Sequence, residues 1–151
     1  VERKDAEARC RLEAALTSGR GLEKFKQMVR LHRGNTAMIE DPARLPLSAC
    51  RAILPAPRGG YVVRVDAERI GRACLLLGAG RTQAQDVIDP GAGIGELATI
   101  GTGVEKGQPL AVLYAATSGR LEAAQHQTTT AFEIADRPIP PTPLILDHVT
   151  L

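Results

Sequence analysis

The sequence predicts an α+β fold: a helical hairpin followed by a mixed α+β C-terminal domain with barrel-like β-hairpins. Three observations carry this. Apolar residues recur at helical spacing through the first third of the chain. From Leu47 onward, alternating and β-branched segments are broken by glycine and proline. Between these regions lies a proline-punctuated stretch, Ile39 to Pro46, which reads as a linker. The expected division is therefore 1–46 and 47–151.

The first helix is expected from Glu2 to Leu16, where Ala8, Leu12, Ala15 and Leu16 line one face at 3.6-residue spacing. Thr17-Ser18-Gly19 stops it, glycine being suited to the left-handed position after a helix end. A second helix is expected from about Arg20 to Arg33, with Leu22, Phe25, Val29 and His32 sharing a face and Gly34-Asn35 ending it. Such a hairpin carries apolar stripes that need a partner surface. Ser48 to Leu54 and Gly60 to Val65 then read as two strands around the loop Pro55-Ala56-Pro57-Arg58-Gly59. Asp66 is placed to accept from free N–H groups at a helix start. Ile70, Ala73, Cys74 and Leu77 form the buried stripe of that helix, and Gly78 closes it. A glycine-rich stretch, Gly91 to Gly107, leads to a strand over Pro109 to Ala115. Ser118 to Asp136 reads as one longer helix along Leu121, Ala124, Thr128, Ala131, Phe132 and Ala135. Arg137-Pro138-Ile139-Pro140-Pro141 breaks it, and Leu144 to Leu151 reads as an edge strand.

At 151 residues the chain has room for one domain, or one small domain with an extension. Nineteen Lys and Arg against 17 Asp and Glu leave a formal charge of +2, which argues against a strongly basic nucleic-acid surface and against a polyacidic tail. With two Tyr, two Phe and no Trp, base stacking on aromatic platforms is excluded as a binding mode. The core must be built from Ala, Leu, Ile and Val. No apolar run approaches the roughly 18 residues of a membrane span, and no signal segment opens the chain. Neither a nucleic-acid nor a membrane partner is expected. Val1 is not an initiator Met and Val1 to Glu7 reads as mid-helix, so a piece of a longer polypeptide is expected. Cys10, Cys50 and Cys74 are odd in number, far apart and free of any CxxC or Cys/His cluster. They read as small buried hydrophobes in a reduced, cytoplasmic setting, with no metal and no cofactor.

Few motifs invite chemistry. Gly78-Ala79-Gly80-Arg81 and Gly91-Ala92-Gly93-Ile94-Gly95 resemble phosphate loops, which need N–H groups at a strand-to-helix turn. Gly78 follows a helix instead of opening one, and Glu96 stands where a final glycine of GxGxxG is needed, so turn geometry is the better reading. Arg81 suits a structural ion pair. Asp66, Glu68, Asp86 and Asp89 are the nearest acids, but their spacing places no two beside a nucleophile; capping for Asp66 and turn formation for Asp89 before Pro90 are preferred. His32, His126 and His148 fall on separate elements. Ser18, Ser48 and Ser118 lack a GxSxG elbow. Lys24, Lys26, Arg30 and Arg33 read as a solvated helix face. Gly103 to Leu113 has the look of a glycine-turned hairpin from a biotinyl or lipoyl carrier domain, yet no lysine follows Lys106 for attachment. No residue is assigned a catalytic, substrate-binding or metal role.

Longer segments carry a resemblance. Asp5-Ala6-Glu7-Ala8-Arg9, Ser18-Gly19-Arg20-Gly21-Leu22-Glu23-Lys24-Phe25 and Met28-Val29 resemble the late helices of thymidine phosphorylases. Gly60-Tyr61-Val62, Asp66-Ala67-Glu68-Arg69-Ile70-Gly71, Leu77-Gly78-Ala79-Gly80-Arg81, Asp86-Val87-Ile88-Asp89, Gly93-Ile94 and Gly107-Gln108-Pro109-Leu110-Ala111 follow in order. This order is similar to the C-terminal domain of the pyrimidine-nucleoside phosphorylase family, with bacterial thymidine phosphorylases the nearest fit. The resemblance implies a pentosyltransferase: phosphorolysis of thymidine to thymine and 2-deoxy-α-D-ribose 1-phosphate, by a cytoplasmic homodimer. Residues 1–46 would be terminal helices of the catalytic α/β domain and 47–151 its C-terminal domain. The family's phosphate and pyrimidine contacts come from its N-terminal two-thirds, whose motifs do not occur here. The fragment alone is then expected to be inactive, its partner being the remainder of the phosphorylase polypeptide. The alternatives are a free-standing binding module, or a phosphorylase for uridine or nucleoside monophosphates.

Overall fold

The computed structural model describes residues 2–140, with side chains from Asp5 onward. The expected strand over Leu144 to Leu151, and His148 within it, lie outside the described residues. The chain divides into two compact units, Val1–Leu45 and Pro46–Leu151.

Unit 1 opens with α1 (Glu2–Thr17) and α2 (Arg20–Leu31). The turn between them uses Gly19 at φ 75°, a left-handed conformation that costs glycine little. α2 ends earlier than its apolar stripe implies. His32 is its C-cap, Arg33 takes the left-handed position at φ 59°, and Gly34 N–H bonds the Val29 carbonyl. Gly34 is therefore small because Val29 crowds it, and the positive φ falls on arginine. The expected linker is partly helical. α3 (Ala37–Glu40) is followed by a 3₁₀ turn, Pro42–Arg44, capped by the Asp41 carboxylate on Ala43 N–H, with proline at the first position, where no N–H is required. Leu12, Leu16, Leu22, Phe25, Met28 and Leu31 are all exposed. Lys26 is not on a solvated face. Its ammonium reaches Glu23 and Glu40, both at 3.4 Å, tying α2 to α3. Those two carboxylates hold the Lys26 pKa above its ordinary value, Glu40 contributing most.

Among its described residues, unit 2 contains two three-stranded antiparallel sheets and two helices, and no barrel closes. The strands are β1 (Cys50–Pro55), β2 (Gly60–Val65), β3 (Gly93–Gly95), β4 (Gly103–Val104), β5 (Pro109–Ala115) and β6 (Phe132–Ala135). The helices are α4 (Ala67–Leu77) and α5 (Ser118–Thr129). One sheet runs β1-β5-β3 and the other β4-β2-β6.

This order corrects two sequence expectations. β1 and β2 are not partners: β1 pairs β5, Cys50 opposite Ala115, while β2 pairs β6 and β4. Pro55, Pro57 and Pro109 lack ladder donors. Ala56 continues the β1–β5 exchange through Gln108 O and Gly107 N before the chain leaves for the second sheet. Likewise Gly103 to Leu113 is not a hairpin within one sheet, since β4 joins β2 whereas β5 lies between β1 and β3. The turn carrying Lys106 crosses between sheets, with Gly107 at φ 88° and its N–H on Ala56 O. Gly93–Gly95 also departs from the expected turn by pairing as a strand with β5.

A further correction concerns the last helix. α5 stops at Thr129, and Phe132–Ala135 is a strand paired with β2, Val65 opposite Phe132. Three β-branched threonines in a row disfavour helix continuation. The hydroxyls of Thr128, Thr129 and Thr130 donate back to the carbonyls of Ala124, Gln125 and Gln127. Phe132 and Ile134 then turn the same way on a period of two, with Glu133 exposed between them.

The core of unit 2 is aliphatic. Leu54, Val62, Ala73, Leu77, Leu110, Ala111, Leu113, Ala115 and Ala124 have nearly no exposed surface, and no isoleucine is among the fully buried residues. At about 1.5–3 kcal/mol for each large side chain removed from water, this is the main favourable contribution to stability.

Glycines separate two kinds of constraint. A Cβ on Gly91 would lie 2.6 Å from Ser48 N and 2.8 Å from the Leu47 carbonyl carbon, both backbone atoms. A Cβ on Gly71, within α4, would meet nothing within 4 Å. Gly91→Ala is expected to destabilise the protein by about 1–3 kcal/mol through overpacking. Gly71→Ala is expected to stabilise it by about 0.5–1 kcal/mol through helix propensity. Urea denaturation midpoints of the two variants, moving in opposite directions, check both.

Candidate functional site

The polar features of unit 2 gather at the two ends of an antiparallel helix pair. Asp66 precedes α4 in extended backbone, and its Oδ1 accepts the Arg69 N–H at 3.1 Å, as its N-cap position demands. That N–H is the largest cause holding the Asp66 pKa below the ordinary carboxylate range, aided by the charges of Arg64 and Arg69. Arg64 Nη2 lies 3.3 Å from Asp66 Oδ2. Arg69 Nη1 donates at 3.0 Å to Thr130 O, the carbonyl of the C-cap residue of α5, where a cation complements the helix dipole. Arg72 Nη2 reaches Glu68 at 2.6 Å. Asp66, Glu68, Arg69 and Arg72, together with His126, Gln127 and Thr130, line an open cleft of about 470 Å³.

At the opposite end, Gly78 caps α4 at φ 102°, with Gly78 and Ala79 N–H groups returned to Leu75 and Cys74 carbonyls. The space where Gly78 would carry a Cβ is taken by the Arg120 guanidinium from the first turn of α5. Asp86 accepts from the Thr82 hydroxyl (2.7 Å) and the N–H groups of Thr82 and Gln83. Asp89 accepts from Ser48 Oγ (2.7 Å) and Gly91 N–H (2.9 Å). Both carboxylates are held below their ordinary range, Asp86 chiefly by the Thr82 hydroxyl and Asp89 chiefly by that of Ser48, with Arg120 adding to each. Leu75, Leu76, Val87 and Arg120 border a smaller hollow of about 320 Å³ here.

The four acids noted in the sequence are thus split between the ends of α4, an 11-residue helix about 16 Å long. Asp66, Asp86 and Asp89 are ionised acceptors at neutral pH, which suits structure and not proton donation. The glycine-loop N–H groups of Gly78, Ala79, Gly91 and Ala92 are spent on internal acceptors, so they do not cradle an anion. Arg81 is exposed and forms none of the ion pairs seen among the described residues, against expectation. Cys10 is exposed, not buried; Cys50 and Cys74 are half-buried, and burial pushes the Cys74 thiol up. His126 stands exposed on the cleft rim. Ser48, noted only for lacking a nucleophile elbow, proves to be the partner of Asp89. Arg120 escaped the sequence reading altogether: its two acids lie more than 30 positions away, and no local pattern marks it.

The family model for the pyrimidine nucleoside phosphorylase C-terminal domain matches residues 61–135, from the second residue of β2 to the last of β6. The chain belongs to the pyrimidine-nucleoside phosphorylase family through this C-terminal part. The pyrimidine-nucleoside phosphorylase of Bacillus subtilis (strain 168) is 42% identical over 109 residues, 72% of this chain and 25% of that protein. The thymidine phosphorylase of Agrobacterium fabrum (strain C58) is 37% identical over 139 residues, 91% of this chain and 32% of that protein. The chain therefore spans between a quarter and a third of the length of these curated relatives. In this phosphorylase C-terminal domain, both arginines at the cleft, Arg69 and Arg72, are engaged by a carboxylate or a carbonyl, as structural roles require. Among the described residues, no group of His, Cys, Asp and Glu is placed to hold a metal ion, and no helix is long and apolar enough to cross a membrane.

The pH dependence follows from three depressed carboxylates. A group whose folded pKa lies below its unfolded value of about 3.9 contributes stability that is complete above that value. The contribution is lost as pH falls through the folded pKa. Unit 2 is therefore expected to keep constant thermal stability from these groups between pH 7 and about 5, and to lose it below about pH 4. Melting curves from pH 7 to 2 check this, and Asp86→Asn with Asp89→Asn should flatten the acid limb.

Proposed function

We propose that this chain is the C-terminal portion of a pyrimidine-nucleoside phosphorylase and that its parent acts on thymidine. In that reaction the glycosidic bond from C1′ to the base nitrogen breaks and a bond from C1′ to a phosphate oxygen forms. The products are thymine and 2-deoxy-α-D-ribose 1-phosphate. The observation that carries the thymidine reading is the alignment of 91% of this chain with a relative named thymidine phosphorylase.

The chain's part in the reaction is structural. Cleavage builds positive charge on the sugar and negative charge on the leaving base, so phosphate and base each need convergent donors. The guanidiniums of Arg64, Arg69 and Arg72 are turned instead to Asp66, the Thr130 carbonyl and Glu68. Residues 1–46 serve as terminal helices of the catalytic domain and 47–151 as the C-terminal domain buttressing it. The remainder of the phosphorylase polypeptide supplies the phosphate and pyrimidine contacts. The working protein is a cytoplasmic homodimer.

The test is thymine release from thymidine and phosphate, followed by absorbance. The 151-residue chain alone is expected to give no turnover, whereas the polypeptide completed with a phosphorylase catalytic portion is expected to be active on thymidine. Turnover by the isolated chain at the rate of a complete enzyme would overturn the structural role. A completed enzyme that prefers uridine or a nucleoside monophosphate would overturn the thymidine assignment.

A further inference from the structure

We propose that Ser48, Asp89 and Gly91 form a buckle that pins the segment entering β1, so that displacement of the chain upstream of Pro46 ends at Ser48 and leaves β1 seated on β5. The boundary between the compact units falls at Leu45/Pro46, just before this contact. Leu45, Pro46 and Leu47 are exposed, whereas Ser48 is half-buried.

Three interactions converge on the entry segment. Ser48 Oγ donates to Asp89 Oδ2 at 2.7 Å across 41 positions of sequence. Gly91 brings its Cα so near that a Cβ there would press on Ser48 N and on the Leu47 carbonyl carbon, so the loop lies flat against the strap's backbone. Asp89 is itself fixed: its Oδ1 accepts Gly91 N–H, its carbonyl accepts Ala92 N–H at 3.1 Å, and its own N–H donates to Gly78 O at 3.0 Å. The strap is thereby tied to the C-cap of α4, a rigid part of the unit. β1 needs such an anchor because, among the described residues, it is an edge strand hydrogen-bonded on one side, and its first paired residue is Cys50. A pull on an unanchored edge strand peels its ladder one pair at a time from the end. Fixing Ser48 moves that load onto a charge-assisted hydrogen bond and a close-packed backbone contact.

Amide hydrogen exchange on the 151-residue chain, read by mass spectrometry, tests the buckle. Ser48→Ala removes only the strap's donor and is expected to speed exchange of residues 47–52 about five- to tenfold, leaving peptides from β5 at their parent rate. Limited trypsin digestion should then cut after Arg51 as well as after the exposed Arg44. Asp89→Ala should reproduce the effect and extend it to residues 89–92. Unchanged exchange at 47–52 in both variants would overturn the proposal. So would equal acceleration in β5, which marks a loss of global stability instead of release of a strap.

Discussion

The burial of β5 on both of its faces is the constraint from which the rest of unit 2 follows. Leu110, Ala111, Val112, Leu113 and Ala115 have at most 1% of their surface exposed. A half-buried strand would alternate; this one does not, so something must cover each side. β1 and β3 take its two edges. α4 and α5 lie against this sheet, contributing Ala73, Leu77, Leu121 and Ala124 to the core, and Val62 and Val104 of the second sheet join the same cluster. Small side chains recur where layers meet: Ala73, Ala111, Ala115 and Ala124 are all fully buried. With no tryptophan and only two phenylalanines, close approach of backbones replaces bulky fillers in making a dense interior.

The polar groups are arranged to serve that packing. Two antiparallel helices bring each C-terminal end beside the other's first turn. Arg69 of α4 donates to the C-cap carbonyl of α5, and Arg120 of α5 fills the space left by Gly78 at the end of α4. Each guanidinium meets the partially negative end of its neighbour, which turns two helix-dipole penalties into two contacts between helices. Asp66 pairs with Arg64 and Arg69, while Asp86 and Asp89 lie near enough to Arg120 to feel its charge and satisfy loop N–H groups. Catalytic arginines must keep donors free for the transition state. The cleft between Asp66 and Thr130 has the opposite character, and its chemistry is that of a joint.

What could be read from the sequence was what is encoded locally. Asp66, three residues before the N–H it caps, and Gly78, immediately after Leu77, bracket α4 within a single stretch, and the structure places its ends there. Pro109 to Ala115 was legible as a strand because its apolar run is short and bounded by glycine and a Thr-Ser turn. Strand partners were not legible. β1 and β2 are neighbours in sequence, yet the pairs that form are Cys50 with Ala115 and Val65 with Phe132, which depend on the whole topology. The end of α5 was misread because Leu121, Ala124, Thr128, Ala131 and Phe132 fit a helical period across a real change of structure. The three threonines were the contrary signal, and β-branching there outweighed the spacing. Among the polar residues, Asp66 could be assigned from its neighbours, but Ser48 and Asp89 meet only in three dimensions.

The two units differ in how completely they bury their apolar residues, and this bears on the structural role. Unit 2 buries Leu54, Val62, Leu77, Leu110, Val112 and Leu113 almost completely, although Leu47, Ile53, Leu75, Leu76, Val87, Ile88, Leu97, Ile100 and Ile139 stay exposed. Unit 1 has no buried residue in α2 or α3, and Leu16 and Leu31 are more than three-quarters exposed. Leaving such side chains in water forgoes about 1.5–3 kcal/mol each. Isolated helices of 12 to 16 residues are marginal without a packed face. Unit 1 instead relies on local devices: Lys26 bridging Glu23 and Glu40, Arg9 paired with Glu13, Arg11 paired with Glu7, and the Asp41 cap. The exposed Arg9–Glu13 and Arg11–Glu7 pairs contribute a few tenths of a kcal/mol apiece, far short of the burial forgone. The apolar stripe of the hairpin is thus the part of the molecule whose sequence is least explained by its own contacts. Covering by a larger catalytic portion, as the proposed role requires, is the arrangement in which those leucines and Phe25 would contribute to stability as the aliphatic core of unit 2 already does.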